Sequence, residues 1–173
     1  MTVQRRFAVS LALLALAACG GSGGKAFRPL AMGDPAPAYA TGTLKGDSVD
    51  LAKLRGRPVL LNVWATWCIP CRHEMPAIQQ LYTAFADSGL VVIGVSVDEN
   101  GSDGQVRQFA EDHGVTFTIA RDPAKRVQRI FRTIGVPETF LIDRKGKIAH
   151  RWIGEFEPAS EPVRQAVHEV LHG

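Results

Sequence analysis

Two continuous apolar runs, residues 58–65 and 90–97, constrain the fold of this 173-residue chain more than any other feature. Each run is too short for a buried helix and is rich in branched side chains, which is typical of a strand buried on both faces. Each is followed by a segment with helical spacing of its apolar residues, 69–87 and 103–114. Such alternation predicts a parallel sheet with right-handed crossovers, and hence an α/β domain.

The remaining segments complete a single domain, which is what a chain of this length comfortably accommodates. Upstream of the first run, Pro and Gly residues indicate a loop, a small hairpin around residues 44–47 and one helical turn at 51–54. Downstream, the patterns predict a short strand, a helix, a β-hairpin and a closing helix. Their ranges are 116–120, 123–132, 139–143 with 147–153, and 158–172.

The amino terminus has the pattern of an export signal. Arg5 and Arg6 precede an apolar run, residues 7–18, which is shorter than the roughly 20 residues that a membrane-spanning helix needs. The run ends in Leu-Ala-Ala followed by Cys19. This ending resembles the lipobox of bacterial lipoproteins, in which the Cys thiol receives the lipid, so we expect Cys19 to be lipidated.

Three parts of the chain follow from this interpretation. Residues 1–19 are expected to be a signal peptide with its lipidated Cys, and residues 20–31 a flexible tether, because Gly- and Ser-rich chains behave as coils. Residues 32–173 are expected to be the folded domain. The protein would then be a lipoprotein held on the periplasmic side of a bacterial membrane.

The composition argues for a soluble domain that does not bind nucleic acid. Apolar residues make up 46% and charged residues 21% of the chain, as in globular proteins. The formal net charge of +3 comes from 20 basic and 17 acidic residues, and it falls to near neutrality once Arg5 and Arg6 leave with the signal. Neither a basic stripe nor a groove-reading motif is visible.

The cysteine pattern points to redox chemistry. With Cys19 assigned to the lipid, Cys68 and Cys71 remain, and a disulfide closing so short a loop stabilises a fold little. Cys68 lies where a strand ends and a helix begins, where free amides and the helix dipole favour a thiolate. Cys71 lies one turn further in. We therefore expect Cys68 to attack a disulfide and Cys71 to resolve the mixed disulfide, with Pro70 tolerated in the first helical turn.

A metal site is the alternative for the two cysteines. A zinc site needs two further Cys or His ligands at comparable spacing, and none is present. His73 and Met75 are nearby ligands of the kind that suits copper, but their helical positions do not converge with both sulfurs. We expect no metal and no cofactor, and a copper-binding chaperone remains the non-enzymatic alternative.

Residues 64–76, Trp-Ala-Thr-Trp-Cys-Ile-Pro-Cys-Arg-His-Glu-Met-Pro, resemble the active-site block of the thioredoxin-like TlpA/ResA/DsbE family. The resemblance extends from about Met32 to the end of the chain. It implies a thioredoxin fold, with a central mixed β-sheet flanked by helices and an N-terminal β-hairpin extension. Residues 135–143 resemble the loop that carries the family's cis-proline, here Pro137. Proline suits this position because an X-Pro bond pays only about 0.5–1 kcal/mol to be cis.

The resemblance also implies roles for several neighbours of the cysteines. Val136 would offer its backbone to an extended substrate segment, and Trp67 would cover Cys68. Trp64 is expected in the core, and Pro76 resembles the proline that kinks the active-site helix.

One position departs from thioredoxin itself. Asn62 stands where thioredoxin has a buried acid, so that proton relay cannot operate here. Glu74 lies three residues after Cys71 on the same helix face and resembles an acid of the ResA group. Our hypothesis is that its negative charge raises the pKa of the Cys71 thiol. The alternative is a solvated surface glutamate.

The function that the resemblance implies is reduction of disulfides in exported proteins, including apocytochrome c. Since the compartment is oxidising, a membrane electron donor of the DsbD or CcdA kind would be required. A peroxiredoxin-like thiol peroxidase is a second enzymatic alternative, but the Pro-x-x-x-Thr-x-x-Cys motif of that family is absent around Cys68.

Overall fold

The computed structural model of the protein describes residues 28–173. The predicted signal peptide, Cys19 and most of the predicted tether lie outside these residues. Residues 28–31, which the sequence places in the tether, instead contact the domain, and Leu30 is buried. The domain therefore includes residues before Met32, because the apolar side chain at position 30 packs into the core.

Seven strands and four α-helices follow one another in the described part of the chain. The strands are β1 (Ala40–Gly42), β2 (Ser48–Asp50), β3 (Val59–Trp64), β4 (Val91–Ser96), β5 (Thr118–Arg121), β6 (Glu138–Ile142) and β7 (Ile148–Ile153). The helices are α1 (Ile69–Phe85), α2 (Asp103–Asp112), α3 (Arg126–Phe131) and α4 (Glu161–His172). A short 3-10 helix, Leu51–Leu54, follows β2.

Five of the strands form one mixed sheet in the order β5-β4-β3-β6-β7. β3 is parallel to β4 and β4 to β5, whereas β6 is antiparallel to both β3 and β7. β1 and β2 form a separate antiparallel hairpin. This arrangement confirms the mixed sheet flanked by helices and the N-terminal hairpin that the resemblance implies.

The burial of the strands explains their sequence patterns. Every residue of β3 and β6 is buried, because these central strands are covered on both faces. β7 is less buried and lies at the edge of the sheet. Backbone bonds from the N-terminal segment cover this edge: Gly33 N donates to Ile148 O at 2.8 Å, and Ile148 N donates to Asp34 O at 2.9 Å. At Ile148, the first residue of β7, the edge is therefore not free to pair with another chain.

No helix within residues 28–173 is both long enough and apolar enough to cross a membrane.

Candidate active site

Cys68 and Cys71 form a disulfide at the start of α1, with their Cα atoms 5.3 Å apart. Cys68 is the N-cap of the helix, and its Sγ accepts a hydrogen bond from the backbone N–H of Cys71 at 3.3 Å. Cys68 is 5% exposed and Cys71 is completely buried. The structure thus has the sulfur of Cys68 at the helix terminus, with an amide that can stabilise a thiolate, and shields that of Cys71.

The local sequence explains why the helix begins at this point. Pro70 lies in the first helical turn, where its missing N–H would have had no partner within the helix. Pro76 lies inside α1, and the helix continues past it to Phe85. The first turn therefore starts directly at the redox pair.

The cis-proline loop lies at the same end of the sheet as the two cysteines. The peptide between Val136 and Pro137 is cis, which confirms the prediction for this bond. In the antiparallel pairing of β3 and β6, Glu138 is opposite Val63. Pro137, the next residue outward, therefore lies level with the end of β3, from which the chain leads into the cysteines.

A buried ion pair that sequence reasoning missed lies directly behind this loop. Glu138 is fully buried, and its Oε1 accepts a hydrogen bond from Arg151 Nε at 2.6 Å. Its Oε2 accepts from the backbone N–H of Ile134 at 2.9 Å. Arg151 Nη1 also donates to the carbonyl of Leu30 at 2.7 Å. The sequence signal for this pair was the acid Glu138 in an otherwise uncharged buried strand. Its partner Arg151 lies on another strand, so the local sequence does not identify it.

Glu74 is buried among polar partners and is only 2% exposed, so the surface-glutamate alternative is wrong. Its Oε1 accepts from Asn62 Nδ2 at 2.8 Å, and its Oε2 accepts from the backbone N–H of Phe156 at 3.4 Å. Burial raises the pKa of the Glu74 carboxyl to about 7, against the smaller opposing effect of the Asn62 hydrogen bond. A carboxyl with this pKa exchanges protons readily near neutrality.

A cavity of about 390 Å³ lies beside Glu74. It is bounded by α1 and the segment that follows β7, and its titratable lining residues besides Glu74 are His73, Glu155 and Glu157. His73 Nδ1 lies 3.6 Å from Glu155 Oε1 across it. The cavity leads from solvent towards a carboxyl that is itself almost inaccessible.

The turn before Cys68 is held by a second carboxylate that sequence reasoning did not single out. Asp98, buried just after β4, accepts hydrogen bonds from the Thr66 backbone N–H at 3.1 Å and from Thr66 Oγ1 at 2.6 Å. It also accepts from Ser96 Oγ at 2.7 Å. Because Thr66 and Asp98 are 32 residues apart, no local pattern predicts the contacts between them.

Large apolar side chains are exposed around the redox pair. Trp67 and Ile69, on either side of Cys68, are 63% and 66% exposed, and Ile134 of the cis-proline loop is 65% exposed. Val136 is partly exposed. Trp64, in contrast, is fully buried and packs against Phe109 with ring centroids 4.9 Å apart, as expected for a core residue.

Within residues 28–173, no three or more His, Cys, Asp and Glu side chains are grouped so that they could hold a metal ion.

The fold and the Cys68–Cys71 disulfide define a thiol–disulfide oxidoreductase of the thioredoxin fold. The chain belongs to the AhpC/TSA family, whose model matches residues 32–151. It is 35% identical over 124 residues to the thiol-disulfide oxidoreductase ResA of Bacillus anthracis, covering 72% of this chain and 70% of the relative. It is 38% identical over 122 residues to the thioredoxin-like protein YneN of Bacillus subtilis (strain 168), covering 70% and 71%.

Solved structures agree with these relatives. A Chlorobium tepidum protein provisionally described as the thiol:disulfide interchange protein DsbE superposes with a TM-score of 0.75 at 32% identity, covering 82% of this chain and 99% of that one. The thioredoxin domain of a thiol-disulfide oxidoreductase from Bacteroides vulgatus gives a TM-score of 0.70 at 30% identity, covering 82% and 99%. The resemblance to the ResA and DsbE group is therefore confirmed.

Proposed function

We propose that this protein reduces disulfide bonds of exported proteins, apocytochrome c among them, on the outer side of the cytoplasmic membrane. The observation that carries the proposal is the pairing of an N-cap cysteine with a shielded second cysteine, next to a buried carboxyl and level with a cis-proline turn. The ResA relative carries the name of the same reaction class. Cys19, as a lipidated residue, would hold the protein at the membrane surface.

Each reaction cycle moves two electrons from the protein to its substrate. The Cys68 thiolate attacks one sulfur of the substrate disulfide, and the other sulfur leaves as a thiolate that takes up a proton. The Cys71 thiol then loses its proton and attacks Cys68 Sγ, which releases the second substrate thiolate. The products are the reduced substrate and the Cys68–Cys71 disulfide.

Glu74 would govern the second step of this cycle. As an anion it disfavours a second anion nearby, which keeps Cys71 protonated until the mixed disulfide has formed. A carboxyl whose pKa is about 7 can then accept the proton that Cys71 gives up. Val136 and Pro137 would align the extended substrate segment, and Trp67 and Pro70 would border it.

The cycle requires a source of electrons, because the compartment is oxidising. We propose a membrane protein of the DsbD or CcdA kind, which would reduce the Cys68–Cys71 disulfide through the same exchange chemistry run in reverse. The exposed side chains of Trp67 and Ile69, on either side of Cys68, would provide an apolar contact surface for such a protein.

Trapping of mixed disulfides tests the proposal. In a Cys71→Ala variant, Cys68 cannot be resolved, so exported proteins that contain cysteine should remain covalently bound to it. Cys68→Ala is the matched control and should trap nothing. Equal capture by both variants, or capture by neither, would contradict the proposed exchange.

The reduction potential tests the direction. The strong periplasmic oxidants have reduction potentials of about −120 mV. A reductase should have a potential well below this value. Equilibration of the purified protein with glutathione buffers measures it. A value close to those oxidants would identify an oxidase instead.

A further inference from the structure

Asn62 is fully buried in β3, between the active-site helix and the strand of the cis-proline. Its Nδ2 donates to Glu74 Oε1 at 2.8 Å and to Thr139 Oγ1 at 2.9 Å, so both amide hydrogens are used. Its Oδ1 is buried without a hydrogen-bond partner in the described part of the chain. A buried acceptor left in this state is costly, and the amide keeps this orientation because of the two bonds that Nδ2 makes.

The opposite orientation of the amide is worse. It would place Oδ1 against Glu74 Oε1, where two acceptors repel whenever the carboxyl is ionised, and it would leave both N–H groups of Asn62 without the partners that they now have. The amide thus presents a donor to Glu74 Oε1 in the disulfide form of the protein. Oε2 makes only the long 3.4 Å contact with the Phe156 N–H.

We propose that Asn62 is a positioning residue for Glu74. The Asn62 amide keeps Glu74 Oε1 as a hydrogen-bond acceptor, so that the exchangeable proton binds to Oε2. Through its second hydrogen bond, to Thr139, Asn62 also connects the carboxyl to β6, the strand that follows the cis-proline. Both Glu74 and Phe156, whose N–H donates to Oε2, line the cavity beside α1. The importance of this positioning for disulfide exchange rests on the function proposed above for Glu74. The positioning of the carboxyl by Asn62 is independent of that function.

A shift in the pKa of Glu74 on replacement of Asn62 would not come from a change in the nearby charges. The segment after β7 contributes Glu155 and Glu157, and α1 contributes His73 beside the cavity. The neighbours from β3 and β6, Asn62 and Thr139, are uncharged. Replacing either neighbour therefore alters hydrogen bonding to the carboxyl without changing the local charge.

Direct titration of Glu74 tests the assignment. In the oxidised protein labelled with 13C at glutamate carboxyls, Asn62→Leu should raise the titration midpoint of Glu74 by roughly one pH unit or more, because a hydrogen bond to the ionised form is lost. Thr139→Val should move it in the same direction by less, since the Asn62 amide is then less firmly held. Thr83→Val, on the exposed side of α1, is the matched control and should leave the midpoint unchanged.

The outcomes separate this inference from the proposed function. Wild-type midpoints in both the Asn62 and Thr139 variants would overturn the positioning role. If Asn62→Leu does not fold, an unshifted midpoint in Thr139→Val overturns it. The rate at which Cys71 resolves a mixed disulfide on Cys68 is then measured against pH. A profile that does not follow a shifted Glu74 midpoint would leave the role of Asn62 standing and remove Glu74 from the exchange reaction.

Discussion

At the scale of single residues, Glu74 shows how burial converts an ordinary side chain into a group that titrates near neutrality. The carboxyl is enclosed by α1, Asn62 of β3 and the backbone of Phe156, with little water to solvate its charge. Desolvation exceeds the effect of the hydrogen bonds, and the pKa rises to about 7. The same burial links the stability of the protein to pH.

We expect the oxidised protein to lose stability as the pH rises from about 4.5 to 7. In the folded state the Glu74 carboxyl keeps its proton up to about pH 7, whereas in the unfolded chain it loses it near 4.5. In this window the folded protein therefore binds a proton that the unfolded chain has released. The resulting contribution to the free energy of unfolding, about 3 kcal/mol, is fully present below the window and lost above it. Urea unfolding at several pH values, without reductant, measures the slope.

Glu74→Gln should remove that slope, because the amide does not titrate. Glu111→Gln, an exposed position on α2, is the control and should keep the wild-type slope. If the free energy of unfolding depended on pH in the same way in the wild type and in Glu74→Gln, the buried carboxyl would not titrate in this range.

Asp98 carries a separate prediction at the same scale. Asp98→Ala removes the acceptor for the Thr66 N–H, the Thr66 hydroxyl and the Ser96 hydroxyl. We expect a loss of about 2–3 kcal/mol in the free energy of unfolding, because these groups stay largely buried. Asp87→Ala, on an exposed turn, should cost little. Equal unfolding midpoints for the two variants would argue against a clamp on the active-site turn.

At the scale of secondary-structure elements, the cis-proline loop depends on a contact between neighbouring strands. Glu138 of β6 and Arg151 of β7 form a buried pair that also holds the backbone of Ile134 and Leu30. The pair therefore joins the loop, the edge of the sheet and the N-terminal segment. Such a pair is weak evidence for net stability, but breaking it on one side is costly.

Arg151→Met should destabilise the protein by about 3–5 kcal/mol, because it leaves the Glu138 carboxylate buried without its cation. The double variant Arg151→Met/Glu138→Gln should recover part of this loss, since the unpaired charge is gone. Chemical denaturation of the three proteins gives the comparison. A double variant that is less stable than Arg151→Met alone would contradict the explanation.

At the scale of the whole molecule, the described domain carries the redox site, and the function proposed for it places that domain at a membrane. Cys19→Ala should therefore release the protein from the membrane fraction of the producing bacterium, while reduction of a model disulfide by the purified protein stays at the wild-type rate. Fractionation followed by immunoblotting measures the first effect. Retention in the membrane fraction would refute lipidation at Cys19 as the anchor.

The sequence alone was sufficient for the elements, for the Cys68–Cys71 pair and for the cis bond before Pro137. The strands and helices follow from short-range periodicity, and the predicted ranges differ from the observed ones by only a few residues. Cys68 and Cys71 were found from their CxxC spacing at a strand–helix junction, and Pro137 from the resemblance of residues 135–143 to the cis-proline loop of the family. Local patterns carry this information because backbone geometry is decided over a few residues.

Only the tertiary structure decided which polar groups are buried together. Glu74 meets Phe156, Asp98 meets Thr66 and Glu138 meets Arg151 across separations of 82, 32 and 13 residues. Even the boundary of the domain changed, since Leu30 is buried and bonded to Arg151 through its carbonyl. Desolvation depends on what packs around a group from distant parts of the chain, so the charge state of a carboxyl cannot be read from its sequence neighbours.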